Sequence, residues 1–452
     1  MTEKFERKNL FQLCLPLFLY GIMTIVVSSI GTMLLSNYSD ELAASVSMAN
    51  QILGLGYDLS GLMSIGALIL ISQYLGRDQV EDARMIAQIG FIASIVFGVI
   101  IAVVLAGGAV FYTDWINTPP EILEDVLIYI YGMSVGMIFY GFINTAIAAL
   151  RGFGRTIEIL WFGAIGSVAY LALSYVLIYG FWIFPELGIY GPILSNLVIR
   201  TFKIGLLIWI LKWKLGLSVF HIPPGLWQQT KKIFKLSYPS VGEALGYQLY
   251  QLFVVSLIAG LGVTAVLTRS YSLTLTQLMA MIMLVISYGN EVLIGYDKGA
   301  EENEAAYRRG VKTSLGTAFV IMGVAVLVWF FAEPLLRLFT QDMAIITASQ
   351  DILMLHIVLT PFQVTNLILF NSLKAVGDVN RPVITNLSIT FAVAIPLSWL
   401  FASHLEFGVK GLWYALIIEE MVKASAMFML WRYRSWQRLH VLDEDRLPKQ
   451  EA

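Results

Sequence analysis

The residues of this chain that could do chemistry are charged side chains stranded in apolar sequence: Asp58, Arg200, Lys203, Glu243, Arg269, Glu419, Glu420 and Lys423. An ionisable group within hydrocarbon costs at least about 2.5–3.5 kcal/mol on insertion scales, so each must line a pathway, bind an ion or be neutralised by a partner. Glu243 stands eight residues after Lys235, roughly 12 Å along a continuous helix at about 1.5 Å per residue. A carboxyl at that depth is alternately dried and wetted as a cavity opens, so it can take up and release a proton or a sodium ion. The blander alternative is a hydrogen bond to Tyr247 one turn on, or an ion pair with a neighbouring helix. Asp58, set among Gly54, Gly56 and Gly61, reads either as a second coupling acid or as a capped residue in a close-packed glycine seam.

Arg269 could neutralise Glu243, meet an anionic ligand, or simply snorkel to the membrane interface. Glu419, Glu420 and Lys423 stand at i, i+1 and i+4, so Lys423 can reach both carboxylates, and a self-neutralising structural cluster is expected. Arg200 and Lys203 are its counterparts in the other half of the chain, with Arg200 a candidate partner for Glu420. Tyr247, Gln248, Gln251, Gln277, Gln363 and Asn366, together with Arg269, supply hydrogen-bonding groups suited to a polyspecific substrate cavity. Other chemistries lack their motifs. There is no Gly-Lys-Ser or Gly-Lys-Thr phosphate loop and no Gly-x-Ser-x-Gly elbow, and His221, His356, His404 and His440 have no metal-ligand spacing. No enzyme, metal site or bound cofactor is expected, and the single cysteine, Cys14, allows no internal disulfide.

The elements that must position these groups are membrane spans. A chain that is 58% hydrophobic and 13% charged, with a mean hydropathy of +0.75, cannot cover a soluble fold with solvated groups. A net charge of -2 excludes the concentrated positive field of a nucleic-acid binder. Runs long enough to cross the bilayer, about 20 residues each, fall near 10–36, 42–74, 84–112, 121–148, 155–182, 187–212, 231–260, 264–297, 305–332, 343–373, 381–403 and 407–432. The first is longer than the apolar core of a cleaved export signal and has no small-residue cleavage site. With the N-terminus inside, every basic residue outside the spans becomes cytoplasmic except Arg337 and Lys410. Arg200, Lys203, Arg269 and Lys423 lie within spans.

The two halves repeat. Gly76, Glu81 and Ala83 recur as Gly299, Glu304 and Ala306, and Arg151 and Gly154 as Lys374 and Gly377, all at an offset of 223. Glu186, Gly188 and Gly191 recur as Glu406, Gly408 and Gly411 at an offset of 220. The expected fold is an all-α integral membrane protein of twelve transmembrane helices, arranged as two six-helix bundles related by a pseudo-twofold axis along the membrane normal. The bundles are placed at residues 1–213 and 231–436, joined by a cytoplasmic linker at 214–230 and followed by a cytoplasmic tail at 437–452.

The landmarks resemble a family. Arg151-Gly152-Phe153-Gly154-Arg155 and Lys374-Ala375-Val376-Gly377-Asp378 are similar to the paired loops after the fourth and tenth spans of multidrug and toxic compound extrusion (MATE) transporters, of the MOP flippase superfamily. Gln73 to Arg84, Pro185 to Ile189 and Pro239-Ser240-Val241-Gly242-Glu243 are similarly placed. The resemblance implies two bundles splayed in a V that export organic, often cationic, compounds in exchange for protons or sodium ions. It also exposes departures. Where many members carry an acid in the first span this chain has Gly31, and where many carry Asn and Asp in the fifth it has Tyr170 and Ser174. The place of an acid in some members' tenth span falls near Gln363.

These features lead to the expectation of a monomeric secondary antiporter in the bacterial inner membrane, both termini cytoplasmic. Its partners are a small-molecule substrate and membrane lipids, and protons or sodium ions couple through Glu243 with Asp58. A lipid-linked oligosaccharide flippase is the first alternative, disfavoured because only Arg200, Arg269 and Lys203 are available to meet a pyrophosphate. A non-transporting membrane sensor is the second.

Overall fold

The structure is a computed structural model that describes residues 6–180, 184–217 and 223–442. Lys4, His221, Arg446 and Lys449 lie outside the described residues. All regular structure among the described residues is helical, as lipid requires, because a helix satisfies its own backbone N–H and C=O groups. The long helices are α1 (Leu10–Tyr38), α2 (Asp40–Gly76), α3 (Val80–Trp115), α4 (Leu123–Gly152), α5 (Thr156–Tyr179), α6 (Tyr190–Leu215), α7 (Leu226–Gly260), α8 (Val263–Gly299), α9 (Asn303–Phe330), α10 (Met343–Ala375), α11 (Asn380–His404) and α12 (Gly408–Arg432). The first eleven are long and apolar enough to cross a membrane. The twelfth, 25 residues long, differs because Glu419, Glu420 and Lys423 interrupt its apolar sequence.

Local chemistry sets the ends and breaks. Asn9 and Gln12 form a reciprocal capping box at the start of α1. Ser39 caps α2 and Asp342 caps α10. The repeated loop motifs are helix stops: Arg155 N–H reaches back to Leu150 O at 2.7 Å and Asp378 N–H to Leu373 O at 3.0 Å. The intervening glycines, Gly154 and Gly377, sit at φ of +72° and +89°, the left-handed conformation such a stop needs. The same stop recurs at Asp78 (φ 58°) and Glu301 (φ 62°), also 223 residues apart. The duplication seen in the residue pattern is therefore a duplication of backbone geometry.

Three of the long helices, α2, α7 and α11, are interrupted, α7 at Tyr238. In α2 the first segment ends at Ser60 and a second begins at Leu62. In α11, Pro396 has no N–H to donate, and wide turns at Thr390–Ala394 and Leu400–His404 flank it.

The chain divides into two compact units, one running to Val241 and the other from Gly242. The first holds α1–α6 and the leading segment of α7, Leu226–Ser237, which packs on the second segment of α2. The Gly66 amide donates to Ser237 Oγ there at 3.0 Å. The first unit has a core of Leu53, Leu105, Ile130, Met133, Met137 and Ile193. In the second unit Tyr250, Ile352, Leu359, Leu412 and Trp413 form one core, and Met279, Ile321, Val364 and Ile368 another. Large apolar side chains such as Trp161, Trp213 and Phe319 are left exposed, the surface a lipid-facing helix presents. After α12, Trp436 is fully buried and stacks on Trp431 at 4.5 Å, closing that end of the second unit.

Candidate functional site

Glu243 lies on α7 only four residues beyond Pro239, where the second segment of that helix begins. Its depth is therefore shorter than a continuous helix from Lys235 gives, because the run breaks at Tyr238. Its side chain is 38% exposed, and Lys374 Nζ stands 3.8 Å from its carboxylate, beside the Phe370 ring. The neighbouring-helix ion pair, not the Tyr247 hydrogen bond, is the arrangement found. Tyr247 instead accepts from Gln251 Nε2 at 2.5 Å, and Arg269 donates to Gln251 Oε1 at 3.1 Å. Arg269 is thus tied into a chain of uncharged groups on α7 and α8. Gln248 and Gln363 are half-buried and Gln277 is exposed. Asp58 is exposed on α2, two residues before that helix's first segment ends.

The most buried acid among the described residues of the second unit, Glu419, is on α12. Glu419 is 1% exposed, and its Oε1 accepts from Lys423 Nζ at 2.6 Å and from the Thr390 hydroxyl at 2.8 Å. Its second oxygen, Oε2, is buried with no hydrogen-bond donor. Glu420 reaches toward α10, where Asn366 Nδ2 donates to it at 2.9 Å. Asn386 Nδ2 in turn donates to Asn366 Oδ1 at 3.1 Å, and Asn386 Oδ1 is a second buried acceptor without a donor. Two carboxylates, one ammonium and two orphaned acceptor oxygens therefore share a single polar core. A buried acceptor without a donor carries a desolvation penalty of about 1–3 kcal/mol. A proton, a cation or a water molecule donating to it removes that penalty.

Sequence spacing located the Glu419, Glu420 and Lys423 group and Asn366. It missed Thr390 and Asn386, which a wide turn and the helical segment before it bring in from α11. The proline at 396 was the available signal, since it forces the ladder of that span to shift. Lys374 was visible only as a motif residue, and its place beside Glu243 is a tertiary fact.

In the first unit two cations, Arg200 and Lys203, lie within the spans. Arg200 on α6 donates to Gly136 O at 2.6 Å and to the Tyr57 hydroxyl at 3.1 Å, and its guanidinium lies over the Tyr57 and Tyr140 rings at 5.2 and 5.4 Å. Arg200 and Glu420, weighed as partners from the repeat, each find hydrogen-bond partners within their own unit. Among the described residues no group of three or more His, Cys, Asp or Glu side chains is arranged to hold a metal ion.

Long apolar helices with breaks beside buried, unevenly neutralised charge define a polytopic membrane transporter. The comparisons with known proteins give the same class. A profile of the MatE family matches residues 16–176 and 239–400. YisQ of Bacillus subtilis, described as an uncharacterized transporter, is 29% identical over 433 residues, 95% of this chain and 94% of its own. A probable multidrug resistance protein NorM of Thermotoga maritima is 22% identical over 446 residues, 98% of this chain and 95% of its own. A crystal structure of MATE in the bent conformation shares the fold, with a TM-score of 0.85 over 94% of both chains at 18% identity. The chain belongs to the MATE family. It is a secondary transporter of small organic compounds that works by alternating access.

Proposed function

We propose that the protein is an antiporter of the bacterial inner membrane that exports organic, amphipathic compounds in exchange for protons or sodium ions, with both termini cytoplasmic. The basic residues between spans support that orientation. Coupling is assigned to the second unit, at Glu419 and Glu420. The observation that carries this is the buried Glu419 Oε2, an acceptor without a donor among the described residues, in a core where a single ammonium, Lys423, stands with two carboxylates. Occupancy by a proton or sodium ion neutralises the second, and an occupant that binds one conformational state more tightly shifts the population toward it. Glu243 enters as a subsidiary acid: protonating it releases Lys374. Asp58, exposed and in the other unit, is a separate candidate for which coupling is the weaker reading.

The test is efflux of a fluorescent dye from inverted vesicles under a proton gradient or a sodium gradient, imposed separately. Glu420→Gln and Glu419→Gln are expected to abolish gradient-driven efflux at normal expression, with Glu243→Gln reducing it less. Wild-type efflux in both α12 variants overturns the assignment. No dye movement by the wild type under either gradient overturns proton- or sodium-coupled export of such compounds.

A further inference from the structure

We propose that Arg200 and Lys203 of the first unit form an anion-binding site, so that the compounds carried bear a carboxylate, sulfonate or phosphate group beside an apolar, aromatic body. This rests on the transporter reading and names the chemistry of what is transported.

Arg200 and Lys203 are three residues apart on α6 and so share one face of it. That helix packs against α4 and α5, and both cations point into these neighbours. Arg200 reaches the Gly136 carbonyl on α4, and Lys203 lies against Gly166 and the Phe162 ring on α5. Both approaches are built into the sequence: a side chain at 136 would meet the guanidinium at 2.7 Å, and one at 166 would overlap the Lys203 stem. Two glycines on two helices make room for two cations. A packing accident does not require that.

The charge is uncompensated. Among the described residues neither Arg200 nor Lys203 is ion-paired, and the Lys203 ammonium has no hydrogen-bond acceptor. Arg200 uses one N–H on Gly136 and one on Tyr57 of the five that a guanidinium carries. An anion is the group that would use the remaining donors. The aromatic walls fit the same reading. Tyr57 and Tyr140 rings stand 4.8 Å apart and would cage an organic cation, but Arg200 already lies over both faces. A substrate cation would meet like charge there. An anion would meet two cations, with the Tyr170 hydroxyl and Asn196, 3.4 Å apart, as further hydrogen-bonding groups nearby.

A soluble organic anion and an anionic lipid headgroup share this chemistry, and the experiment separates them. Purified full-length protein in neutral detergent is titrated against 5-carboxyfluorescein and, separately, against ethidium, with fluorescence anisotropy as the readout. Lys203→Met, which keeps the stem and removes the charge, is expected to weaken carboxyfluorescein binding at least tenfold. Lys203→Arg keeps the affinity within about threefold, and ethidium affinity is unchanged in both variants. The titration is repeated in nanodiscs of phosphatidylcholine with and without phosphatidylglycerol. Lys203-dependent displacement of the dye by phosphatidylglycerol assigns the site to a lipid phosphate, and undiminished binding assigns it to a soluble anion. If neither dye binding nor phosphatidylglycerol retention depends on Lys203 or Arg200, the proposal is overturned. Binding is read at equilibrium without a gradient, so intact anion binding with absent efflux would refute the coupled-export reading alone.

Discussion

Replacing Lys423 by Met tests the polar core of α12 most directly. Lys423 is 12% exposed and its partner Glu419 1%, with 2.6 Å between the charged atoms. Removing one member of a buried ion pair costs about 3–5 kcal/mol, because the other is left charged and dry. Among the described residues the Thr390 hydroxyl, at 2.8 Å, is the only donor left to Glu419, and because that bond is already made with Lys423 in place it offsets none of this cost. A loss of about 3–5 kcal/mol is therefore expected for Lys423→Met. In Glu419→Gln/Lys423→Met the buried charge is gone and the Thr390 bond can persist, so most of that loss should be recovered. Equilibrium unfolding in mixed SDS micelles, followed by the fluorescence of the chain's 11 tryptophans, measures all four members of the cycle. A double variant as unstable as Lys423→Met would show that the lysine acts through its packing and not through neutralising Glu419.

Two further outcomes follow from the structure. Burial raises the Asp378 carboxyl above its ordinary value of 3.8, against the opposing pull of Arg381. A raised folded value favours the protonated form, so its contribution to stability is full below 3.8 and is lost as pH rises through the folded value. Asp378→Asn should flatten that part of the stability profile and be neutral or stabilising at pH 7, measured by the same unfolding assay across pH. Trp436→Ala empties a fully buried site stacked on Trp431. It should cost about 3–5 kcal/mol and loosen the end of the second unit, read as faster proteolysis near residue 436.

The span pattern, the duplication and the family were legible in the sequence because lipid imposes a one-dimensional rule. A crossing needs an apolar run of fixed length, and its backbone must close on itself as a helix. The loop glycines were legible for a similarly local reason, since a left-handed stop is encoded by the residue that occupies it. The partners of the buried charges were not. Spacing gave Lys423 access to both Glu419 and Glu420, but only the packing of α10 and α11 beside α12 turned Glu420 to Asn366 and left Glu419 Oε2 without a donor. Likewise, counting from Lys235 put Glu243 deep, whereas the break at Tyr238 and the place of Lys374 set its actual surroundings. Which side chain neutralises which is decided by residues tens to hundreds of positions apart that share a few ångströms of space, and helical periodicity carries no information about that distance.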